Sequence, residues 1–168
     1  DGSLFDVTPI RITTAAGVGQ GTFYIYFDSK EEILRALVVS YSKSLRQYLT
    51  EATANTTTRL EKERQGLKSF IDYVRAHSDF YLIVHESLFI DPEIYQYYYR
   101  SFSEGYSKRL QNACDDGEIV EIDTEVWSWA LMGMSEFLGY RYGILDKKTP
   151  SEEVVNSVFS VLKKGFSV

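Results

Sequence analysis

Residues 8 to 38 read TPIRITTAAGVGQGTFYIYFDSKEEILRALV, and this stretch decides how the N-terminal part of the chain folds. Thr8 followed by proline predicts an N-cap and the first residue of a short helix, because proline has no N–H to leave unsatisfied there. Gly17 is expected to end that helix, since glycine tolerates the positive φ of a helix C-terminus. Residues 19–22 then begin a second helix whose start carries almost no bulk.

A third helix follows directly. Phe23 and Phe27 lie four residues apart and are expected to point into a core. Ser29 and Glu32 form an S-x-x-E capping box, and the apolar residues behind it predict a long helix. Two short helices joined by a glycine turn and followed by a third are typical of a helix-turn-helix. Backbone amides and short side chains at the open start of the second helix could approach a phosphate or a base edge.

This stretch resembles the DNA-binding motif of the TetR family of bacterial transcriptional regulators. The shared pattern is T-x-x-x-I-x-x-x-A-G-V-x-x-G-T-F-Y-x-Y-F-x-S-K-E-E, and it covers the stretch without a gap. Thr13 stands where alanine is usual in the turn. The matching residues are Thr8, Ile12, Ala16, Gly17, Val18, Gly21, Thr22, Phe23, Tyr24, Tyr26, Phe27, Ser29, Lys30, Glu31 and Glu32.

The resemblance implies a division of the chain. The first helix of the family motif is missing from these 168 residues, so we expect it to precede residue 1. Residues 1–50 are then a helix-turn-helix DNA-binding domain that is incomplete at its N-terminus, and residues 51–168 are a helical effector-binding and dimerisation domain. A dimer would place two recognition helices about 34–36 Å apart, in successive major grooves of a palindromic DNA operator.

The predicted DNA contacts lie at the start of the second and third helices. Gln20 and Thr22 are expected to meet base edges or adjacent phosphates. Tyr24 could pack in the core or contact DNA. The resemblance favours a phosphate contact for the Tyr26 hydroxyl, and Lys30 at the next helix start is expected to hold a phosphate. The full predicted set is Gly19, Gln20, Gly21, Thr22, Tyr24, Tyr26 and Lys30.

The rest of the chain is predicted to be helical throughout, which makes the fold class all-α. Each of the three prolines follows a threonine or an aspartate, as at Asp91 and Thr149, and such pairs mark helix starts. A T-x-x-E box from Thr149 to Glu152 is expected to cap the last helix. No run with a period of two indicates a strand. The other predicted helices cover residues 29–52, 58–77, 80–89, 92 to about 115, and 125–145.

Residues 125–145 are apolar on more than one face, so this helix must be covered on several sides. Glu136 and Arg141 would fall inside a membrane span, and we therefore expect no membrane segment. The resemblance implies a homodimer held by a four-helix bundle from the last two helices of each subunit. The last helix is predicted to supply a second apolar face to it, formed by Val154, Val155, Val158, Phe159 and Leu162.

Aromatic residues make up 15% of the chain. Many of them, including Phe89 and Tyr106, fall on the two successive predicted helices that cover residues 80–89 and 92 to about 115. They could be ordinary core residues, or they could line a cavity for a small lipophilic or aromatic effector. His85 could bind or titrate there, although a hydrogen-bonded structural histidine is the commoner outcome. The predicted effector-binding residues are Phe80, Tyr81, Val84, His85, Leu88, Tyr95, Tyr98, Tyr99, Phe102, Trp127 and Met134.

Charge and cysteine content agree with such a regulator. The net charge is −6, but residues 1–50 carry as many bases as acids, so the acidic excess lies outside the predicted DNA-binding domain. The single Cys114 cannot form an internal disulfide and no apolar leader is present, which favours a reducing cytoplasm.

Enzyme chemistry finds little support in the sequence. His85-Glu86 lacks the second histidine of H-E-x-x-H, the histidines and the cysteine lack zinc spacing, and no G-x-S-x-G occurs. The N-terminal glycines fit neither the dinucleotide-binding nor the P-loop fingerprint, so we expect no cofactor. Because zinc spacing is missing, we also expect no metal. The main expectation is a repressor released from its operator by an effector. Two alternatives stay open: an all-α ligand-binding or scaffold protein without DNA binding, and a small helical enzyme with an unrecognised site.

Overall fold

The structure of the chain is a computed structural model that describes residues 6–166. Within this range the chain is helical and no strand occurs, so the predicted all-α class is confirmed. Among the described helices, none has both the length and the apolar character needed to cross a bilayer. The helices are α1 Pro9–Ala16, α2 Gln20–Tyr26, α3 Lys30–Thr53, α4 Arg59–Ala76, α5 Ser78–Ile90, α6 Pro92–Asp115, α7 Thr124–Gly139, a π-helix Tyr140–Leu145, and α8 Ser151–Phe166.

Local capping explains most helix starts. The Thr8 hydroxyl accepts from the backbone N–H of Arg11 at 3.3 Å, and Thr58 forms a complete capping box with Glu61. Asp123 caps α7 by accepting from the two N–H groups that follow Thr124. Each cap satisfies N–H groups that a helix leaves free at its N-terminus. The predicted starts of α1, α4, α6 and α7 are confirmed, whereas α5 begins two residues earlier than predicted.

The predicted continuous α-helix over 125–145 is wrong at its end, because α7 passes into the π-helix after Gly139. A Cβ at Gly139 would lie 2.6 Å from Phe70, and one at Gly143 would lie 2.6 Å from Val74. The backbone of this segment therefore packs directly on α4, which an ordinary side chain would prevent. Arg75 Nε donates to the carbonyl of Tyr142 at 2.9 Å, so α4 also satisfies a polar group of the π-helix.

Two predictions for the last helix are wrong. Thr149 Oγ1 donates to Asp146 at 2.9 Å, and Glu152 pairs with Arg64, so the two side chains of the expected capping box have other partners. The apolar face of α8 lies in the core of its own subunit instead of forming a face for a partner. Val154, Val155 and Phe159 are buried there together with Leu67 and Ile71, while Val158 and Leu162 pack against the same cluster.

The chain divides into two compact units. Unit 1 comprises Asp1–Lys43 and Asp79–Tyr98, which adds α5 and the start of α6 to the helix-turn-helix. Unit 2 comprises Ser44–Ser78 and Tyr99–Val168. The predicted functional division at residue 50 stays a prediction, because compact units report packing and not function.

Candidate DNA-binding and effector sites

The turn between α1 and α2 follows from glycine at position 17. Gly17 has a φ of 69°, the left-handed conformation that a side chain disfavours. Its N–H donates to the carbonyl of Thr14 at 3.2 Å, and the N–H of Val18 donates to that of Thr13 at 3.0 Å. This pair of bonds is a Schellman motif. Thr13 is buried, and its hydroxyl donates to the carbonyl of Pro9 at 3.0 Å, so this position tolerates a polar side chain.

The second helix, α2, is anchored on one side only. Phe23 is its buried residue, and the ring of Phe27 lies 5.8 Å from the Phe23 ring. Tyr24 meets Phe23 edge to face at 5.2 Å but remains half exposed. The opposite face of α2 is therefore open to solvent along its length.

The predicted DNA-contact residues lie on this open face. Gly19, Gln20, Gly21, Thr22, Tyr24 and Tyr26 are all exposed, and Tyr26 reaches 72%. Lys30 is partly buried at the first residue of α3. Ser29 Oγ accepts from the N–H of Glu32 at 3.1 Å, and the Glu32 carboxylate accepts from the N–H of Asp28 at 2.6 Å. These caps fix the start of α3, and with it the position of Lys30.

Seven predicted effector-binding residues belong to unit 1. Tyr81, Val84 and Tyr98 are buried, His85 and Tyr95 are partly buried, and Phe80 and Leu88 are exposed. A residue that was not predicted, Tyr41 of α3, brings two of them together. Its ring stacks on Phe80 at 5.5 Å and on Tyr98 at 6.4 Å. The signal for Tyr41 was present in the sequence, since it continues the apolar face of α3 begun by Leu34 and Val38.

The other four belong to unit 2. The ring of Tyr99 stacks on Trp129 at 6.4 Å, and Phe102 lies under the guanidinium of Arg46 at 4.7 Å. Trp127 and Met134 pack against one apolar cluster, formed by Leu110, Ala113, Ile119 and Leu131. The structure thus packs Trp127 and Met134 against a common core cluster within this unit.

Comparison with known proteins identifies the N-terminal segment. Residues 6–37 match the model of the bacterial regulatory proteins of the tetR family. This match covers the capped turn, the open face of α2 and the start of α3. Residues 6–37, and with them the helix-turn-helix, thus match the TetR family. The resemblance that the sequence predicted is confirmed over these residues.

Solved structures extend the likeness of fold to almost the whole chain. The fatty acid degradation regulator FadR from Bacillus halodurans superposes with a TM-score of 0.82 at 19% identity, covering 95% of this chain and 85% of that one. FadR from Bacillus subtilis, solved in complex with stearoyl-CoA, gives 0.81 at 20% identity, covering 95% and 88%. The ketosteroid regulator KstR2 of Mycobacterium tuberculosis gives 0.69 at 16%, covering 98% and 87%. A search of curated protein sequences finds no match to this chain.

An ion pair that sequence reasoning missed joins α3 to the start of α6 within unit 1. Arg35 binds the carboxylate of Asp91, which also accepts from the N–H of Ile94 at 3.3 Å. The hydrogen bond from Arg35 is the main cause that lowers the pKa of Asp91, although burial opposes it. The partners lie 56 residues apart in sequence, so no local spacing could have indicated the pair.

Proposed function

We propose that this protein is a homodimeric repressor of the TetR family that binds a palindromic operator through α2 and leaves it when a small lipophilic effector binds. The observation that carries the proposal is the one-sided anchoring of α2. Phe23 is buried while Gln20, Thr22 and Tyr26 are exposed on the same short helix. A helix held in this way can enter a major groove without losing its packing.

Each exposed residue has a role set by its chemistry. The Gln20 amide can donate to and accept from a base edge, and the Thr22 hydroxyl can meet a base or an adjacent phosphate. Gly19 and Gly21 allow the backbone to approach closely. The hydroxyl of Tyr26 and the ammonium of Lys30 hold the phosphate backbone, and Tyr24 adds a contact beside them.

The dimer interface is proposed on α7 and the π-helix. Val126, Trp129, Phe137 and Tyr140 are large apolar residues left exposed in the isolated subunit. They recur at intervals that place them on one helix face, and Gly133 falls in the same series. An exposed apolar stripe of this size marks an interaction surface. A second copy of the same stripe would cover it across a two-fold axis.

The effector is proposed to bind the helical body. FadR from Bacillus subtilis was solved with stearoyl-CoA, and KstR2 is described as a ketosteroid regulator, so two proteins of this fold are associated with lipophilic compounds. The proposed contacts of unit 1 are Phe80, Tyr81, Val84, His85, Leu88, Tyr95 and Tyr98, and those of unit 2 are Tyr99, Phe102, Trp127 and Met134. Their rings supply an apolar wall, and the tyrosine hydroxyls and His85 supply polar tips.

Unit 1 provides a path from effector to DNA. The same helix that begins at Lys30 carries Arg35 and Tyr41, which contact Asp91 of the α5–α6 corner and Phe80 of α5. An effector that binds better to a shifted α5 would pull on α3, and so on the helix-turn-helix packed with it. The size of the response is limited by the difference in affinity between the two states.

DNA selection tests the operator claim. The full-length protein is incubated with a pool of random duplexes, and bound sequences are recovered and aligned. We expect enrichment of a palindrome whose half-sites lie one helical turn apart, about 10 base pairs. Recovery of unrelated sequences with no shared half-site would contradict the proposal and favour a ligand-binding protein without DNA recognition.

A charge in the exposed stripe tests the dimer. Phe137 is 79% exposed, so Phe137→Glu leaves the subunit core intact but places an unpaired carboxylate in the proposed interface. Light scattering should report monomers. The control is Phe89→Glu, which changes an equally large exposed ring on α5. If both variants remain dimers, the interface lies elsewhere.

A further inference from the structure

Three arginines and one buried glutamate are linked through shared neighbours in unit 2. Arg46 lies on α3, Arg59 and Glu63 lie on α4, and Arg109 lies on α6. The Tyr106 ring joins two of them, since its centroid lies 5.5 Å from Cζ of Arg59 and 5.8 Å from Cζ of Arg109. We call these five residues the arginine cluster.

Glu63 is fully engaged inside this cluster. One carboxylate oxygen accepts from Nη2 of Arg59, and the other accepts from the hydroxyl of Tyr106. Burial, followed by the nearby charge of Glu63, raises the pKa of that phenol well above its ordinary value, so Tyr106 stays a donor. A second carboxylate, Glu118, accepts from the backbone N–H of Arg59 at 2.6 Å, but its side chain is exposed. The single negative charge of Glu63 cannot balance three guanidinium groups.

The guanidinium of Arg59 is left incomplete. The residue is only 7% exposed, and its Nε finds no hydrogen-bond partner among the described residues. A buried donor without an acceptor costs about 1–3 kcal/mol, and more when it is charged. Native proteins rarely keep such a group unless something else satisfies it.

Further positive charge stands beside this donor. The side chain of Arg109 reaches solvent, yet burial and then the charge of Arg59 lower the pKa of its guanidinium. The charge of Arg46 acts in the same direction, while its own N–H groups donate to Ser101. Positive charge is thus concentrated at one place in a chain whose net charge is −6. Guanidinium groups in this arrangement suit a carboxylate or a phosphate.

Partly buried apolar side chains lie next to the arginine cluster. Tyr106 packs against the cluster formed by Leu110, Ala113, Ile119 and Leu131, and Trp127 and Met134 pack against the same residues. A molecule with an anionic end and an apolar body would meet both surfaces at once.

We propose that the arginine cluster binds the oxyanion of an amphipathic effector. Arg59 Nε and the Arg109 guanidinium donate hydrogen bonds to the oxyanion, and Trp127 and Met134 contact the apolar body of the effector. This inference rests on the proposed function and narrows its effector to a lipophilic carboxylate or phosphate. Arg109 acts as the accessible contact, and Arg59 acts as the buried one.

Calorimetric titration with four decanoyl-chain probes tests the site. Decanoate carries a carboxylate, decanoyl-CoA carries phosphates, S-decanoyl pantetheine lacks phosphates, and decanol is neutral. Decanol is the neutral match for decanoate, and S-decanoyl pantetheine is the neutral match for decanoyl-CoA. We expect the full-length protein to bind at least one of the two anions more tightly than its neutral match. The affinity for that anion should fall with added salt, because ionic contacts are screened.

The decisive variant is Arg109→Gln, with Lys108→Gln as its control. Both remove one positive charge from neighbouring positions on the exposed side of α6, so the overall charge is matched. Arg109→Gln should weaken anion binding about tenfold or more, and Lys108→Gln should change it less than about twofold, in keeping with the loss of one charge-assisted bond. Binding of decanol should be the same in both. Arg59→Gln would also leave the buried carboxylate of Glu63 without its counter-charge, so this variant serves only as a secondary check.

The outcomes distinguish a carboxylate from a phosphate, and they distinguish failure of the oxyanion site from failure of the proposed function. A response of decanoate to Arg109→Gln assigns a carboxylate, and a response of decanoyl-CoA alone assigns phosphate. Equal anion binding by Arg109→Gln and Lys108→Gln overturns the oxyanion site. If decanol nevertheless binds and releases the operator, the proposed function stands without the site. If no probe binds, the oxyanion proposal falls and so does a fatty-chain effector, while operator selection still tests DNA binding.

Discussion

Arg35 with Asp91 in unit 1 and Arg59 with Glu63 in unit 2 are both arginine–carboxylate pairs, but water reaches them very differently. The Arg35 side chain is 53% exposed and that of Asp91 is 6% exposed, whereas both members of the second pair are 8% exposed. An exposed pair contributes little and is easily broken, while a buried pair is costly to disrupt. The pair in unit 1 should therefore contribute less to stability than the pair in unit 2.

The largest expected effect comes from breaking the buried pair. Glu63→Leu removes the carboxylate that Arg59 and Tyr106 share, and leaves a buried guanidinium without a counter-charge. We expect the free energy of unfolding, measured by urea denaturation, to fall by about 3–5 kcal/mol. A loss below about 1 kcal/mol, the range of exposed pairs, would contradict the contrast between the units.

A smaller effect is expected from filling the contact between α4 and the π-helix. Gly143→Ala places a Cβ 2.6 Å from Val74 Cγ1 and 3.0 Å from its Cβ, and a branched side chain on a helix has little room to move. Overpacking of this kind costs about 1–3 kcal/mol. Gly66→Ala on α4 is the control, because its Cβ would meet nothing within 4 Å. A control that loses as much stability as Gly143→Ala would show that the close contact is not the cause.

The smallest stability effect is expected for Asp91→Asn. Asparagine keeps a side-chain oxygen for the N–H of Ile94 but loses the charge that binds Arg35, so we expect a change below about 1 kcal/mol at neutral pH. Arg35 lowers the pKa of Asp91 in the folded protein. The difference from wild type should therefore be complete above the ordinary aspartate pKa of about 3.9 and vanish as the pH falls through the folded value. If the stability difference between Asp91→Asn and wild type did not depend on pH, the charge of Asp91 would not be its cause.

What the sequence predicted well is what neighbours along the chain determine. The Thr8 cap, the Gly17 turn and the capping box at Thr58 each depend on residues a few positions apart, and all are present. The open face of α2 followed from the same local pattern. The DNA and effector assignments remain predictions, because residue roles depend on a ligand and not on the fold alone.

What the sequence did not predict depends on contacts across the fold. Periodicity showed that α8 has an apolar face but not what covers it, and Phe159 proved to be a core residue with an exposure of only 8%. The close approach of Gly143 in the π-helix to Val74 of α4 joins residues that are far apart in sequence. The orphaned Nε of Arg59 likewise results from the way α4 and α6 meet, since Glu63 is shared with Tyr106.

The affinity of Gln20→Ala for a set of operator variants tests the central claim most directly. Lys30→Ala is the control, since a phosphate contact should weaken binding to all sequences alike and flatten the salt dependence by about one unit of slope. Gln20→Ala should instead lose about 1–3 kcal/mol on the selected operator and relax the preference at one position of each half-site. An equal loss on every variant, or no loss at all, would show that the exposed face of α2 does not read the operator.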